Sequence, residues 1–427
     1  MFIRGVACLV DKEHRVVVTG MGTVNPLGLN VQSFWDHCVI GTSGVKKIEL
    51  FDIPNTISQV AGQVENFALG DEFIDYQGLD RSVQFALAAT KEALISAGLS
   101  GHELLRSAST FISTAISQIS SMESYFCEKT RTATQPLPIT KEKNSSFGKN
   151  FFFHNLSTVI ASCFGVSGPS LGVITGCTGG VDAVLYSYNA IKYGQTKLAI
   201  TGSSEAPITP LVVAAFAKIG ATSTCRNHFP EQASRPFEST RDGFVLAEGC
   251  GILILESLES ALERGAQIYA EVCGGASINN CTHMTDIPDD GTPIAKASKM
   301  ALEMADLCPE DVDMVNAHGS STPQNDIAET RALNKLFGSR VQDVPVTSIK
   351  SQLGHALAGA NSIELVSCIK SIMDDVIPPT INLDEQDPRC NLNVVGNYPK
   401  KTPVSCILKT SSGFSGIHSS LVLREFV

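Results

Sequence analysis

Short β-branched runs, each closed by a glycine turn and followed by a stretch of helical periodicity, recur along this chain. In the first part they are RVVVTGMGTVNPLG, STFISTAIS, SLGVITGCTGG, KLAITGSSEAP and GILILES. In the second they are IYAEVCGGAS, VDMVNAHGSS, PVTSIKSQLG, CILKTSSGFSG and SSLVLREF. Such alternation predicts an α/β fold with a mainly parallel sheet. The order of elements also looks duplicated. SLGVITGCTGGVDAVLYSYNAIKYG and VPVTSIKSQLGHALAGANSIELVSCIKSI each give a strand, a glycine turn, a reactive side chain and an amphipathic helix, with Cys177 and His355 at equivalent places. ESLESALERGAQ, at roughly 256–268, reads as a connecting helix between two similar halves, 15–265 and 266–427.

The length of 427 residues exceeds what one core usually fills, which agrees with two fused halves. A composition of 43% hydrophobic and 18% charged residues is that of a globular protein. The net charge of −11 argues against nucleic acid as a partner. No apolar run reaches the roughly 18 residues of a membrane span, and the opening MFIRGVACLVDKEH has no sustained apolar core of a signal peptide, so a soluble protein is expected. Thirteen cysteines without CxxC or zinc-type spacing read as reduced thiols and point to the cytoplasm.

Proline, serine, threonine and lysine interrupt the alternation in CEKTRTATQPLPITKEKNSSFGKN, which reads as an excursion from the core. Between Lys129 and Lys149 it carries Lys129, Arg131, Lys141, Lys143 and Lys149 against Glu142 alone.

Candidate chemistry sits at the strand ends. Cys177 follows LGVIT and Gly176 and precedes a helical run, and a position at a helix start favours the thiolate. His318 in VDMVNAHGSSTPQND and His355 in KSQLGHALAG lie in turns of the kind where open α/β sheets place ligands. A cysteine with two histidines permits acyl transfer: the thiolate attacks a thioester, and neutral imidazoles donate to a developing oxyanion or relay protons. Spacing alone does not separate this from a cysteine hydrolase.

From about Arg15 to the C-terminus the chain resembles a β-ketoacyl-acyl-carrier-protein synthase. The resemblance is carried by VVVTGMGTVNPLG, ASRPFESTRDGFVLAEG, NAHGSSTPQND, KSQLGHALAG and SSGFSGIHSSLVL, in that order. TGCTGGVDAV, EAPITPLVVAAF and HGSSTPQND are closer to the ketosynthase alpha subunit of type II polyketide synthases. The resemblance implies a thiolase-like fold, with two pseudo-symmetric βαβαβαββ halves in five αβαβα layers. It implies acylation of Cys177, an oxyanion hole from the backbone N–H groups of Cys177 and Phe414, and decarboxylation of a malonyl thioester beside His318 and His355. Lys350 is expected to pair with Glu329, Ser320 and Thr322 to contact the pantetheine arm, and Phe414 to gate the cysteine.

No metal or freely diffusing cofactor is implied, since phosphopantetheine arrives on an acyl carrier protein. The second expected partner is a chain-length factor, forming a heterodimer. Two departures stand out. Gly179 replaces a frequent serine and is expected to loosen the turn, and QVENFALGDEFIDYQGLDR carries Glu65, Asp71, Glu72 and Asp75 where basic docking residues are usual, with Arg81 just after. Competing readings are a homodimeric fatty-acid elongation synthase, which shares every catalytic residue, and a non-catalytic chain-length-determining subunit, which characteristically lacks the cysteine.

Overall fold

The computed structural model describes residues 13–54, 57–132, 134–136, 151–283 and 285–427. Among the described residues, ten strands of an 11-stranded sheet form the frame. The first five are β1 (Val16–Val24), β2 (Ser109–Ser113), β3 (Ser170–Val173), β4 (Leu198–Glu205) and β5 (Gly249–Ser257). The second five are β6 (Ala270–Asn279), β7 (Met314–Asn316), β8 (Pro345–Thr347), β9 (Cys406–Ser412) and β10 (Ile417–Arg424). The principal helices are α1 (Arg81–Ser96), α2 (Asn155–Phe164), α3 (Gly179–Lys192), α4 (Thr292–Met304), α5 (Pro323–Phe337) and α6 (Ala358–Asp374).

The first five strands lie side by side as β3-β2-β4-β5-β1 and the second five as β8-β7-β9-β10-β6, the same order in each set. In both sets the first three neighbours run parallel and the last two pairings are antiparallel. With the intervening helices each half reads βαβαβαββ, as the resemblance implied. Half of the pairings in each set are antiparallel, so the expected mainly parallel sheet is corrected: a strand that returns without a crossover helix, as β10 does from β9, pairs antiparallel. The sheets touch where Val16, Val17 and Val18 of β1 pair with Val272, Glu271 and Ala270 of β6.

All nine residues of β1 and all nine of β5 are buried, which matches near-continuous apolar runs covered on both faces. Helices α1 and α2 cover the outer face of the first sheet, α4 and α5 flank the second, and α3 and α6 pack between the two, giving five layers. Every residue of α6 from Ala358 to Ile372 is buried, as a helix enclosed on all sides requires. Gly251 of β5 allows the backbone of α6 to approach closely: a Cβ built there would stand 2.4 Å from the Ser362 carbonyl carbon.

This layering positions the chemistry. Cys177 lies between β3 and α3, and His355 lies between β8 and α6, so each central helix begins beside one of them. The remaining strands include a small sheet of Val45–Lys47, Val60–Gly62 and Leu246–Ala247 that the sequence pattern did not reveal. Among the described residues, no helix is long and apolar enough to cross a membrane, and no cysteine is in a disulfide.

Candidate active site

Cys177 occupies a single tight turn, Gly176–Thr178, that leads into α3. Gly176 has φ of +63°, a conformation for which glycine is suited. The turn is braced from several directions. Asn361 of α6 donates its side-chain amide to the Cys177 carbonyl. Thr178 donates to Asp182 at 2.7 Å, and Ser419 of β10 donates to the same carboxylate at 2.6 Å.

Gly179 does not loosen this turn. A Cβ there would fall 2.0 Å from the Ser113 hydroxyl oxygen, so the end of β2 fills the space a side chain would need.

The expectation that the helix start favours a thiolate is corrected by burial. Desolvation pushes the Cys177 thiol up to about 11. The Lys350 ammonium and the backbone N–H groups of Phe414 and Cys177 pull the other way, and buried Glu205 adds to the rise. The charge-favouring groups are in place, yet removal from water outweighs them and the resting sulfur carries its proton. The backbone N–H groups of Cys177 and Phe414, which the resemblance assigns to an oxyanion hole, both favour negative charge at the sulfur.

His318 follows β7. Its backbone N–H and that of Gly319 donate to the two oxygens of Glu329, each at 2.8 Å, and Thr410 donates its hydroxyl to Glu329 at 2.6 Å. His355 is fastened to the segment 245–247: its N–H donates to the Val245 carbonyl at 2.7 Å, and Ala247 donates to the His355 carbonyl at 3.0 Å. The two rings meet edge to face with centroids 5.2 Å apart. Burial holds both imidazoles well below 6.5, and Lys350 and Lys409 push in the same direction. Neutral rings able to donate are therefore the resting state.

Lys350 does not pair with Glu329. Its ammonium is bonded to Glu364 of α6, whose other oxygen pairs with Lys409 at 2.8 Å, and all three side chains are at most 1% exposed. The reason is geometric. Both oxygens of Glu329 are already occupied by backbone N–H groups and a hydroxyl, whereas Glu364 has no other donor within α6 to satisfy it. Burial pulls the Lys350 ammonium below its usual range, and Glu364 raises it.

Cys177, His318, His355, Ser320, Thr322 and Phe414 all line one cavity of about 320 Å³. Ser320 and Thr322 share a hydroxyl contact of 2.9 Å, and Thr322 also caps α5 by accepting from the Asn325 N–H. Phe414 is a wall of the cavity rather than a core aromatic, and its ring stacks on Phe216 at 6.3 Å. Phe216 meets Phe244, and Phe244 meets His355, so an aromatic chain links Phe414 to the histidine.

Sequence reasoning missed Glu364, Asn361, Lys409, Phe216 and Phe244. Glu364 had a signal, since a carboxylate within the apolar helix run SIELVSCIK must be matched by a buried cation.

The acidic stretch is partly neutralised where it lies. Glu65 pairs with Lys46 at 2.5 Å and Glu72 with Lys91, but Arg81 is taken up by Glu248 at 3.0 Å, and Asp71 and Asp75 are exposed. Of the basic excursion, Lys129 and Arg131 are exposed near the end of helix Ile119–Thr130, and Lys141, Lys143 and Lys149 lie outside the described residues.

A duplicated five-layer fold with a buried cysteine facing two histidines defines a thiolase-like condensing enzyme. Residues 13–261 match the β-ketoacyl synthase N-terminal domain and residues 269–384 its C-terminal domain, and the chain belongs to that family. It is 38% identical to the tetracenomycin polyketide synthase ketoacyl synthase alpha subunit of Streptomyces glaucescens, over 97% of each chain. It is 36% identical to a 3-oxoacyl-[acyl-carrier-protein] synthase 2 of Synechocystis, over 97% of this chain and 99% of that one. A solved type II polyketide synthase acyl-carrier protein in complex with its ketosynthase bound to the hexaketide contains a chain 39% identical to this one. It superposes with a TM-score of 0.90 over 97% of this chain and 100% of that one.

Proposed function

We propose that this chain is the ketosynthase alpha subunit of a type II polyketide synthase, catalysing decarboxylative Claisen condensation of malonyl-acyl carrier protein with an acyl group held on Cys177. The observation that carries the reading is the meeting of Cys177, flanked by the N–H groups of Cys177 and Phe414, with two neutral imidazoles in one cavity.

In the first step the Cys177 sulfur loses its proton as it attacks the acyl thioester. The two N–H groups stabilise the tetrahedral oxyanion, and the carrier's pantetheine thiol leaves with a proton. The malonyl thioester then enters past Ser320 and Thr322, whose hydroxyls accept and donate along the amide-bearing arm. His318 and His355 donate to its carbonyl oxygen as the carbon–carboxylate bond breaks, carbon dioxide departs and the electron pair forms an enolate. The enolate carbon attacks the acyl carbonyl on Cys177, the carbon–sulfur bond breaks, the departing sulfur takes up a proton from water, and a β-ketoacyl carrier protein results. Every group in this sequence comes from the chain, its substrates or water, and no diffusing cofactor is invoked.

The partners in this reading are an acyl carrier protein and a chain-length factor. The alpha-subunit name of the Streptomyces relative supports the second, as does β3: it ends the sheet as an edge strand with Leu171 52% exposed, followed by Ile174 at 49%. The cyanobacterial relative supports a second reading, a homodimeric fatty-acid elongation synthase using the same residues. A purely non-catalytic chain-length subunit would not need the assembled cysteine and histidines.

Intact-mass analysis of the chain, alone and with a candidate partner, after incubation with acyl- and malonyl-carrier protein decides among these. The polyketide reading requires an adduct that Cys177→Ala abolishes and extension only with the partner present. Extension by the chain alone selects the fatty-acid reading, and no Cys177-dependent adduct would sink both.

A further inference from the structure

Lys409 lies within β9, in the run CILKTSS, with none of its side chain exposed. A lysine enclosed in a central strand is disfavoured unless its charge is matched, because desolvating an ammonium costs several kcal/mol. Its ammonium donates to the Thr410 carbonyl at 2.7 Å and pairs with Glu364 at 2.8 Å, on the carboxylate oxygen opposite the one held by Lys350. The next residue, Thr410, donates its hydroxyl to Glu329, the carboxylate that holds the backbone of His318 and Gly319. Two successive residues of β9 therefore reach the two carboxylates behind the histidine pair.

The titratable groups around this cluster come from several elements, among them Cys177 in the turn leading into α3, on which Lys350 acts. Helix α6 supplies Glu364 and the Cys368 thiol, the turn before it supplies Lys350, and α5 supplies Glu329. His318 follows β7, His355 precedes α6, and His418 comes from β10. Among these groups two ammoniums stand against two carboxylates. If Lys409 lost its charge, one ammonium would face two carboxylates in a water-poor setting, where each unit charge acts strongly on its neighbours.

We propose that Lys409 is a positioning residue of the condensation site, acting through Glu364 to hold Lys350 and balancing the two carboxylates so that the field at His318 and His355 stays positive. This rests on the condensing function proposed above. A positive field disfavours protonation of both imidazoles, and Lys409 acts in that direction on each. It also favours the negative charge that gathers on the malonyl carbonyl oxygen as carbon dioxide leaves.

The test is the pH profile of malonyl-carrier-protein decarboxylation by the full-length chain with its partner, in wild type, Lys409→Met, Lys409→Gln and Lys409→Arg. Cys177 acylation in the same samples reports a folded site. The expected result is an acid limb displaced upward by about one pH unit in Lys409→Met and Lys409→Gln, the scale of one nearby charge in a partly buried setting. Lys409→Arg, which keeps the charge, should return the limb toward wild type. An unshifted limb in both neutral variants overturns the role, since a merely structural lysine would change the rate without moving the profile. Failure of both to fold overturns it too, because the charge would then serve the fold rather than the reaction. Wild-type protein unable to decarboxylate malonyl carrier protein would instead overturn the functional reading beneath it.

Discussion

The rings of His318 and His355 stand edge to face, 5.2 Å apart with an interplanar angle of 82°, although one is fastened by Glu329 of α5 and the other by the backbone of residues 245–247. Neither ring's Nδ1 has a partner among the described residues, so their orientation comes from backbone anchoring and packing.

That arrangement fixes a pH dependence. Both imidazoles are held well below 6.5 in the fold, mainly by burial. In the unfolded chain they take up protons near 6.5, so their contribution to stability is present above 6.5 and is lost as pH falls through the lower folded values. Decarboxylation should stay level as pH drops to 6.5 and decline only below it. A histidine inflection at or above 6.5 in kcat/KM for malonyl carrier protein would contradict the neutral, buried pair.

Cys177 should react slowly with small alkylating agents for a catalytic thiol. Burial pushes it up to about 11, so its alkylation rate should climb roughly tenfold per pH unit through pH 9 instead of levelling near the value of an ordinary thiol. Mass-resolved kinetics of iodoacetamide labelling at Cys177 give the profile. A plateau below pH 9 would show that the positive groups win over desolvation.

Removing Glu364 should harm the fold more than removing its neighbour. Glu364→Gln leaves two buried ammoniums without their shared counter-charge, a loss of about 3–5 kcal/mol by analogy with other broken buried pairs. Glu329→Gln removes an acceptor of the His318 and Gly319 N–H groups, so decarboxylation should fall while Cys177 is still acylated. Urea unfolding and intact-mass acylation of the two variants separate these effects, and equal behaviour of both would refute the assigned pairings.

The turn after Cys177 offers a coupling measurement. Gly179→Ser places a side chain against the Ser113 hydroxyl and should cost about 1–3 kcal/mol, the usual range for overpacking. Ser113→Ala removes the oxygen that lies 2.0 Å from the new Cβ, so the double variant should recover part of that loss. Additive losses in the cycle would mean that the two positions do not compete for one space.

The frame and the three reactive residues were legible in the sequence for a common reason. Strand runs ending in glycine turns mark where a sheet delivers side chains to a crevice, and Cys177, His318 and His355 each sit at such a turn. The partner of Lys350 was not legible, because choosing between Glu329 and Glu364 depends on which carboxylate already has its donors, a fact of three-dimensional packing. The protonation of Cys177 was misjudged on similar grounds: proximity to a helix start can be read from the order of residues, but the depth of burial that outweighs it cannot. Lys409 left no trace at all, since a lysine in a strand ordinarily faces water.

The repeated strand order carries a last consequence. The nucleophile stands on one set of five strands and both histidines on the other, with the sheets joined along β1 and β6 by only three residue pairs. Chemistry in the cavity thus reports assembly: were the chain cut in the connection near 258–268 and the fragments supplied separately, neither could turn over a substrate, and any product formed would count the reunited molecules.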